Sequence, residues 1–83
     1  MYEPRKISLK DLPLGQGAEI VKISGERGFR RRLLELGLLP GTEICVLRQA
    51  PLGDPLELSV RGSCLSIRRQ EAENIMVLPQ DAS

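Results

Sequence analysis

Residues 43–68 read EICVLRQAPLGDPLELSVRGSCLSIR, three short alternating runs separated by turn formers. Ile44 and Val46, then Leu56, Leu58 and Val60, then Leu65 and Ile67 fall on one face, with Glu43, Glu57, Arg61 and Arg68 on the other. Successive side chains of a strand point to opposite faces, so each run offers an apolar face to a core and a polar face to water. The spacers agree. Ala50-Pro51-Leu52-Gly53 puts Pro at the second and Gly at the fourth position of a type I turn, and Arg61-Gly62 is a two-residue hairpin connection. The stretch predicts an antiparallel meander.

Upstream the period changes. Phe29, Leu33 and Leu36 recur at i, i+4 and i+7, the spacing of one helical face, and predict an inserted helix from Gly28. It should stop at Gly37, where a glycine in the left-handed conformation closes the last turn and lets Leu38 pack back on Leu33, with Pro40 preventing continuation. Before it, Ala18, Ile20 and Ile23 break strict alternation within a β-rich run, which points to a bulge. After the meander, residues 69–74 form one helical turn and Ile75 to Leu78 a last strand. Closure hides strand edges in so short a chain, so the expected fold is mainly β: an SH3-like barrel of about five strands with one inserted α-helix, a single domain over residues 1–83. Only Met1 to Arg5 and Gln80 to Ser83 are expected to fray.

Composition narrows the functions. The chain has 83 residues, 12 Lys and Arg against 11 Asp and Glu, no His, one Tyr, one Phe and no Trp. The core must be aliphatic. Without His, the remaining bases are scattered carboxylates and lysines, so no catalytic residue and no metal ligand set is assigned, and no cofactor is expected. Gly25-Glu26-Arg27-Gly28 lacks the spacing and lysine of a phosphate-binding loop. No apolar run reaches a membrane span and no leader-like segment follows Met1, which places the chain in the cytoplasm. Cys45 and Cys64 lie on the polar parity of the first and third meander strands. The intervening strand separates them by about 9 to 10 Å, beyond the roughly 7 Å that a disulfide spans.

The sharpest feature is charge. Residues 22–32 carry Lys22, Arg27, Arg30, Arg31 and Arg32 against Glu26 alone, whereas residues 70–83 carry Glu71, Glu73 and Asp81 with no basic residue. Positive charge in the first turns of a helix opposes its macrodipole, so helix stability does not explain the cluster. The arginines could simply solvate the helix exterior, with Arg31 and Glu35 paired at i, i+4. They could instead serve a partner. With Phe29, Leu33 and Leu36 facing inward, Leu34 and at least one of Leu38 and Leu39 are left over, and apolar groups beside arginines resemble an interface. The candidate contact surface is Arg30, Arg31 and Leu34, with Leu38, Leu39, Pro51 and Leu52 as apolar companions. Alternatively, residues 9–14 fold over these leucines. A nucleic-acid surface is disfavoured by the net charge of +1 and the lack of stacking aromatics.

Several strings together resemble a known family: Leu9-x-x-Leu12-x-x-Gly15, Arg31-Arg32-Leu33-Leu34-Glu35-Leu36-Gly37-Leu38, Pro40-Gly41-Thr42, Ala50-Pro51-Leu52-Gly53-Asp54-Pro55, and Arg61-Gly62 followed by Leu65-x-Ile67-Arg68. Over about residues 8–78 the chain resembles ferrous iron transport protein A, FeoA. The resemblance implies an SH3-like barrel that acts as a small accessory protein of ferrous iron uptake. Its implied partner is the membrane transporter FeoB, through the transporter's cytoplasmic GTP-binding part. A related barrel is the C-terminal domain of iron-dependent repressors, which leaves a transcription-regulatory or nucleic-acid adaptor as the alternative, although no helix-turn-helix precedes the barrel here. Leu38 stands where the family often has Met, and neither cysteine belongs to the family pattern.

Overall fold

The computed structural model describes residues 5–80. Six antiparallel strands run in the spatial order β1-β6-β2-β3-β4-β5: β1 Ile7–Ser8, β2 Gly17–Ile23, β3 Glu43–Gln49, β4 Leu56–Val60, β5 Ser63–Ile67 and β6 Ile75–Pro79. Helix α1, Arg27–Glu35, is inserted between β2 and β3, and a four-residue helix α2, Arg69–Ala72, links β5 to β6. The meander takes the expected register, with Ile44 opposite Val60, Val46 opposite Leu58, and Leu58 opposite Leu65. At the hairpin Arg61 (φ 51°) and Gly62 (φ 81°) are both left-handed, as a type I′ turn requires. The β3–β4 turn closes with a 2.7 Å bond from the Gly53 N–H to the Ala50 carbonyl.

The core is aliphatic. Leu9, Leu12, Ala18, Ile20, Leu33, Leu38, Ile44, Val46, Leu56, Leu58, Val60, Ile67, Ala72, Ile75 and Val77 form one buried cluster, with Ile7, Ile23, Phe29 and Leu65 packed against it. The bulge in β2 falls at Val21, where pairing with β6 shifts from Ile20–Val77 to Lys22–Met76. The extra residue resets the parity so that Ala18, Ile20 and Ile23 can all face inward. A second shift, at Leu47, sets Arg48 opposite Glu57, and the two form an ion pair. The hydrogen bond to Glu57 and the charge of that carboxylate raise the Arg48 pKa above its ordinary value.

The expected mainly β barrel holds, with one further short strand, β1, whose two residues are too few to show a period. Three expectations need correction. Leu36 does not face the core but is 47% exposed. The helix ends at Glu35 before that position completes the inward row, and the chain reverses so that Leu38 enters the core instead. Leu38 is 1% exposed and is therefore not a contact residue. Gln80 does not fray: its N–H donates to the Gly17 carbonyl at 2.9 Å. The remaining expected frayed ends fall mostly on residues 1–4 and 81–83, outside the described residues, as do Tyr2 and Asp81.

Candidate functional site

The loop after α1 builds the site. The helix closes through two backbone bonds, Leu38 N–H to the Leu33 carbonyl at 2.9 Å and Gly37 N–H to the Leu34 carbonyl at 3.0 Å, with Gly37 at φ 93°. This is a Schellman closure, and its partners Leu33 and Leu38 are both buried. Thr42, the one buried polar side chain among the described residues, holds the loop: its hydroxyl accepts from the Leu39 N–H at 3.3 Å and donates to the Gly37 carbonyl at 3.5 Å. Gly41 N–H then bonds the Ile20 carbonyl at 2.7 Å, and Ile20 N–H the Thr42 carbonyl at 2.9 Å, strapping the loop to β2 beside the bulge.

Between this strapped loop and the helix lies a groove of about 400 Å³, lined by Ile23, Arg27, Arg30, Arg31, Leu34 and Pro40. Its lining combines three apolar residues with three arginines. Arg31 approaches Glu35 at 3.7 Å, with both side chains well exposed, a geometry that contributes only a few tenths of a kcal/mol. Arg27 and Arg30 are in no ion pair among the described residues. Arg32 points elsewhere and pairs with Glu71, joining α1 to α2. Glu26 is the N-cap but makes no side-chain cap, and the first turn holds no acid, so Glu26 is the one carboxylate at this end to set against the arginines.

Three of the residues singled out in the sequence, Arg30, Arg31 and Leu34, come together in this groove. The others do not line it. Leu39 is partly exposed on the loop, while Pro51 and Leu52 sit on the β3–β4 turn, with Leu52 96% exposed. Residues 9–14 do not bury Leu34, which remains 49% exposed; Leu9 and Leu12 go into the core, and Leu9–Asp11 packs on α2 and β6. Sequence reasoning missed Ile23 and Pro40, and it counted Arg27 in the basic cluster without assigning it to the contact surface. Arg27 carried a usable signal, since residues 27, 30, 31 and 34 follow i, i+3, i+4, i+7.

A larger groove of about 520 Å³ contains Cys45, Glu43, Ser59 and Arg61. The Cys45 thiol lies 3.9 Å from the Val46 carbonyl, to which it donates a weak hydrogen bond. Ser59 stands opposite both Cys45 and Cys64, so β4 separates the cysteines, and both are free. Among the described residues, no three His, Cys, Asp or Glu side chains gather where they could hold a metal ion. No helix among them is long and apolar enough to cross a membrane.

Comparison with known proteins matches residues 7–79 to the FeoA domain. The Fe(2+) transport protein A/Fe(2+) transporter FeoB fusion protein of Porphyromonas gingivalis is 39% identical over 69 residues, covering 83% of this chain and 8% of that protein. This chain thus spans only a small part of that relative's length. The solution structure of the FeoA protein from Chlorobium tepidum superposes with a TM-score of 0.87 at 43% identity, covering 93% of this chain and 73% of that one. Stenotrophomonas maltophilia FeoA complexed with zinc, described as a procaryotic SH3 domain protein, has a TM-score of 0.74 at 29% identity, covering 86% and 88%. The SH3-like reading of the strands therefore holds. A manganese-dependent transcriptional repressor shares the fold alone, with a TM-score of 0.84 at 15% identity over 96% of this chain and 45% of that one.

Proposed function

The chain belongs to the FeoA family, and on that footing we propose that it is a cytoplasmic accessory and regulatory protein of ferrous iron uptake that acts by protein–protein contact with the cytoplasmic GTP-binding part of the transporter FeoB. The observation that carries this reading is the P. gingivalis relative, in which transport protein A and FeoB are one polypeptide. Fusion raises the effective concentration of one module beside the other, which has value when the two engage. The groove beside α1 suits such a role: apolar Ile23, Leu34 and Pro40 lie beside three arginines, a mixture found at protein contacts. Ferrous iron is the transporter's cargo and need not touch this chain.

The shared repressor fold supports a transcription-regulatory adaptor less well. Phe29 is half-buried against the core and no aromatic lines the basic groove, so a stacking platform is missing there. Co-purification of this protein with the transporter's cytoplasmic domain, with and without GTP, tests the proposal. Retention in at least one nucleotide state is the expected result. Absence of retention in both, together with tight duplex DNA binding at physiological salt, would favour the adaptor.

A further inference from the structure

Arg27, Arg30, Arg31 and Leu34 lie on one face of α1, and that face lines the groove. It is not the face that carries Leu33 into the core, and its charges are not used as Arg32 is, which ties the helix to Glu71. Three guanidiniums thus border a concavity with no carboxylate among its lining residues. They do so where the helix dipole disfavours positive charge, a local cost that an anionic partner would reverse. The apolar lining of Ile23, Leu34 and Pro40 adds a second requirement, since a purely anionic ligand would leave it in water.

We propose that the groove receives an acidic amphipathic helix of the transporter's cytoplasmic part, its apolar side chains seated on Ile23, Leu34 and Pro40 and its carboxylates held by Arg27, Arg30 and Arg31. The proposal rests on the partner reading given above. A guanidinium presents a planar fork that matches a carboxylate, and helix-in-groove recognition uses anchors at i, i+3 or i+4, and i+7. The stretch from Arg27 to Leu34 rises about 10 Å along α1, which matches two turns of a partner helix. Nucleic-acid phosphates would engage the arginines and leave the apolar lining in water.

The test compares wild type, Arg27→Glu/Arg30→Glu and Arg61→Glu in titrations with the transporter's cytoplasmic domain. Acidic residues in the first turn favour the helix dipole, so the double variant should fold at least as well as wild type. Its affinity should fall about 100-fold, whereas Arg61→Glu, in the other groove, should bind as wild type. Wild-type binding should weaken by about tenfold or more between roughly 50 and 300 mM NaCl. Cross-links from the groove should map to an acidic helix of the partner, and Lys substitutions of its carboxylates should restore binding to the double variant. Undiminished binding by the double variant, or cross-links to a segment without carboxylates, would overturn this inference and leave the partner reading standing. Failure of wild type to bind in any nucleotide state would overturn both. Binding of duplex DNA or phosphatidylglycerol vesicles that the double variant loses would assign the arginines to phosphate instead.

Discussion

Replacing Leu38 by alanine should cost far more than replacing Leu36, the reverse of what helical spacing alone implies. Leu38 is 1% exposed within the core cluster, while Leu36 is 47% exposed beyond the last helical residue. Emptying a fully buried leucine site costs about 2 to 5 kcal/mol, the upper end where neighbours cannot collapse. The sites around Leu38 are held by the Schellman closure and the Thr42 hydroxyl, which restrict collapse and favour the upper half of that range. A domain of this size has a total stability of about 4 to 12 kcal/mol. At roughly 4 to 8 °C per kcal/mol, Leu38→Ala should melt about 10 °C or more below the parent. Leu36→Ala loses only partial contact on the flank of Pro55 and Ile67 and should cost about 1 kcal/mol or less. Thermal denaturation followed by far-ultraviolet circular dichroism reads both. A Leu36→Ala melting point at or below that of Leu38→Ala would refute this account of the helix end.

Gly37→Ala should destabilise by about 1 kcal/mol in urea denaturation, because φ is 93° there although the space for a methyl group is open. Arg61→Asn should stabilise the fold by a few tenths of a kcal/mol, raising the melting temperature by about 1 to 2 °C, since asparagine tolerates the left-handed first position of the type I′ turn better than arginine. Mild oxidation should leave no Cys45–Cys64 bridge within a monomer, and thiol labelling should find Cys64 reacting before half-buried Cys45. An intramolecular disulfide by mass spectrometry would contradict the register.

The meander was legible because alternation fixes which face is buried, and Arg61-Gly62 and Ala50–Gly53 left few ways to connect the strands. The β2 bulge was legible for the same reason, as a break in an otherwise regular pattern. The Gly37 closure and the packing of Leu38 on Leu33 were legible from the glycine and Pro40, but the exposure of Leu36 was not, because the i, i+4, i+7 row counts a position that lies past the last helical residue. The same accounting that misplaced Leu38 found Leu34, since an exposed leucine beside arginines is a local signal. Ile23 and Pro40 gave none: they belong to separate segments, brought to one groove by the backbone bonds between Gly41, Thr42 and Ile20. Pro51 and Leu52 were grouped by apolarity alone, and the β3–β4 turn carries them away from that lining.

The most direct test of the central claim is a map of amide chemical shifts on the isotope-labelled protein during titration with the transporter's cytoplasmic domain. The account predicts saturable changes concentrated at Ile23, Arg27, Arg30, Arg31, Leu34 and Gly41, with the β4–β5 hairpin unmoved. Changes confined to the hairpin, or no changes at any nucleotide state, would contradict it.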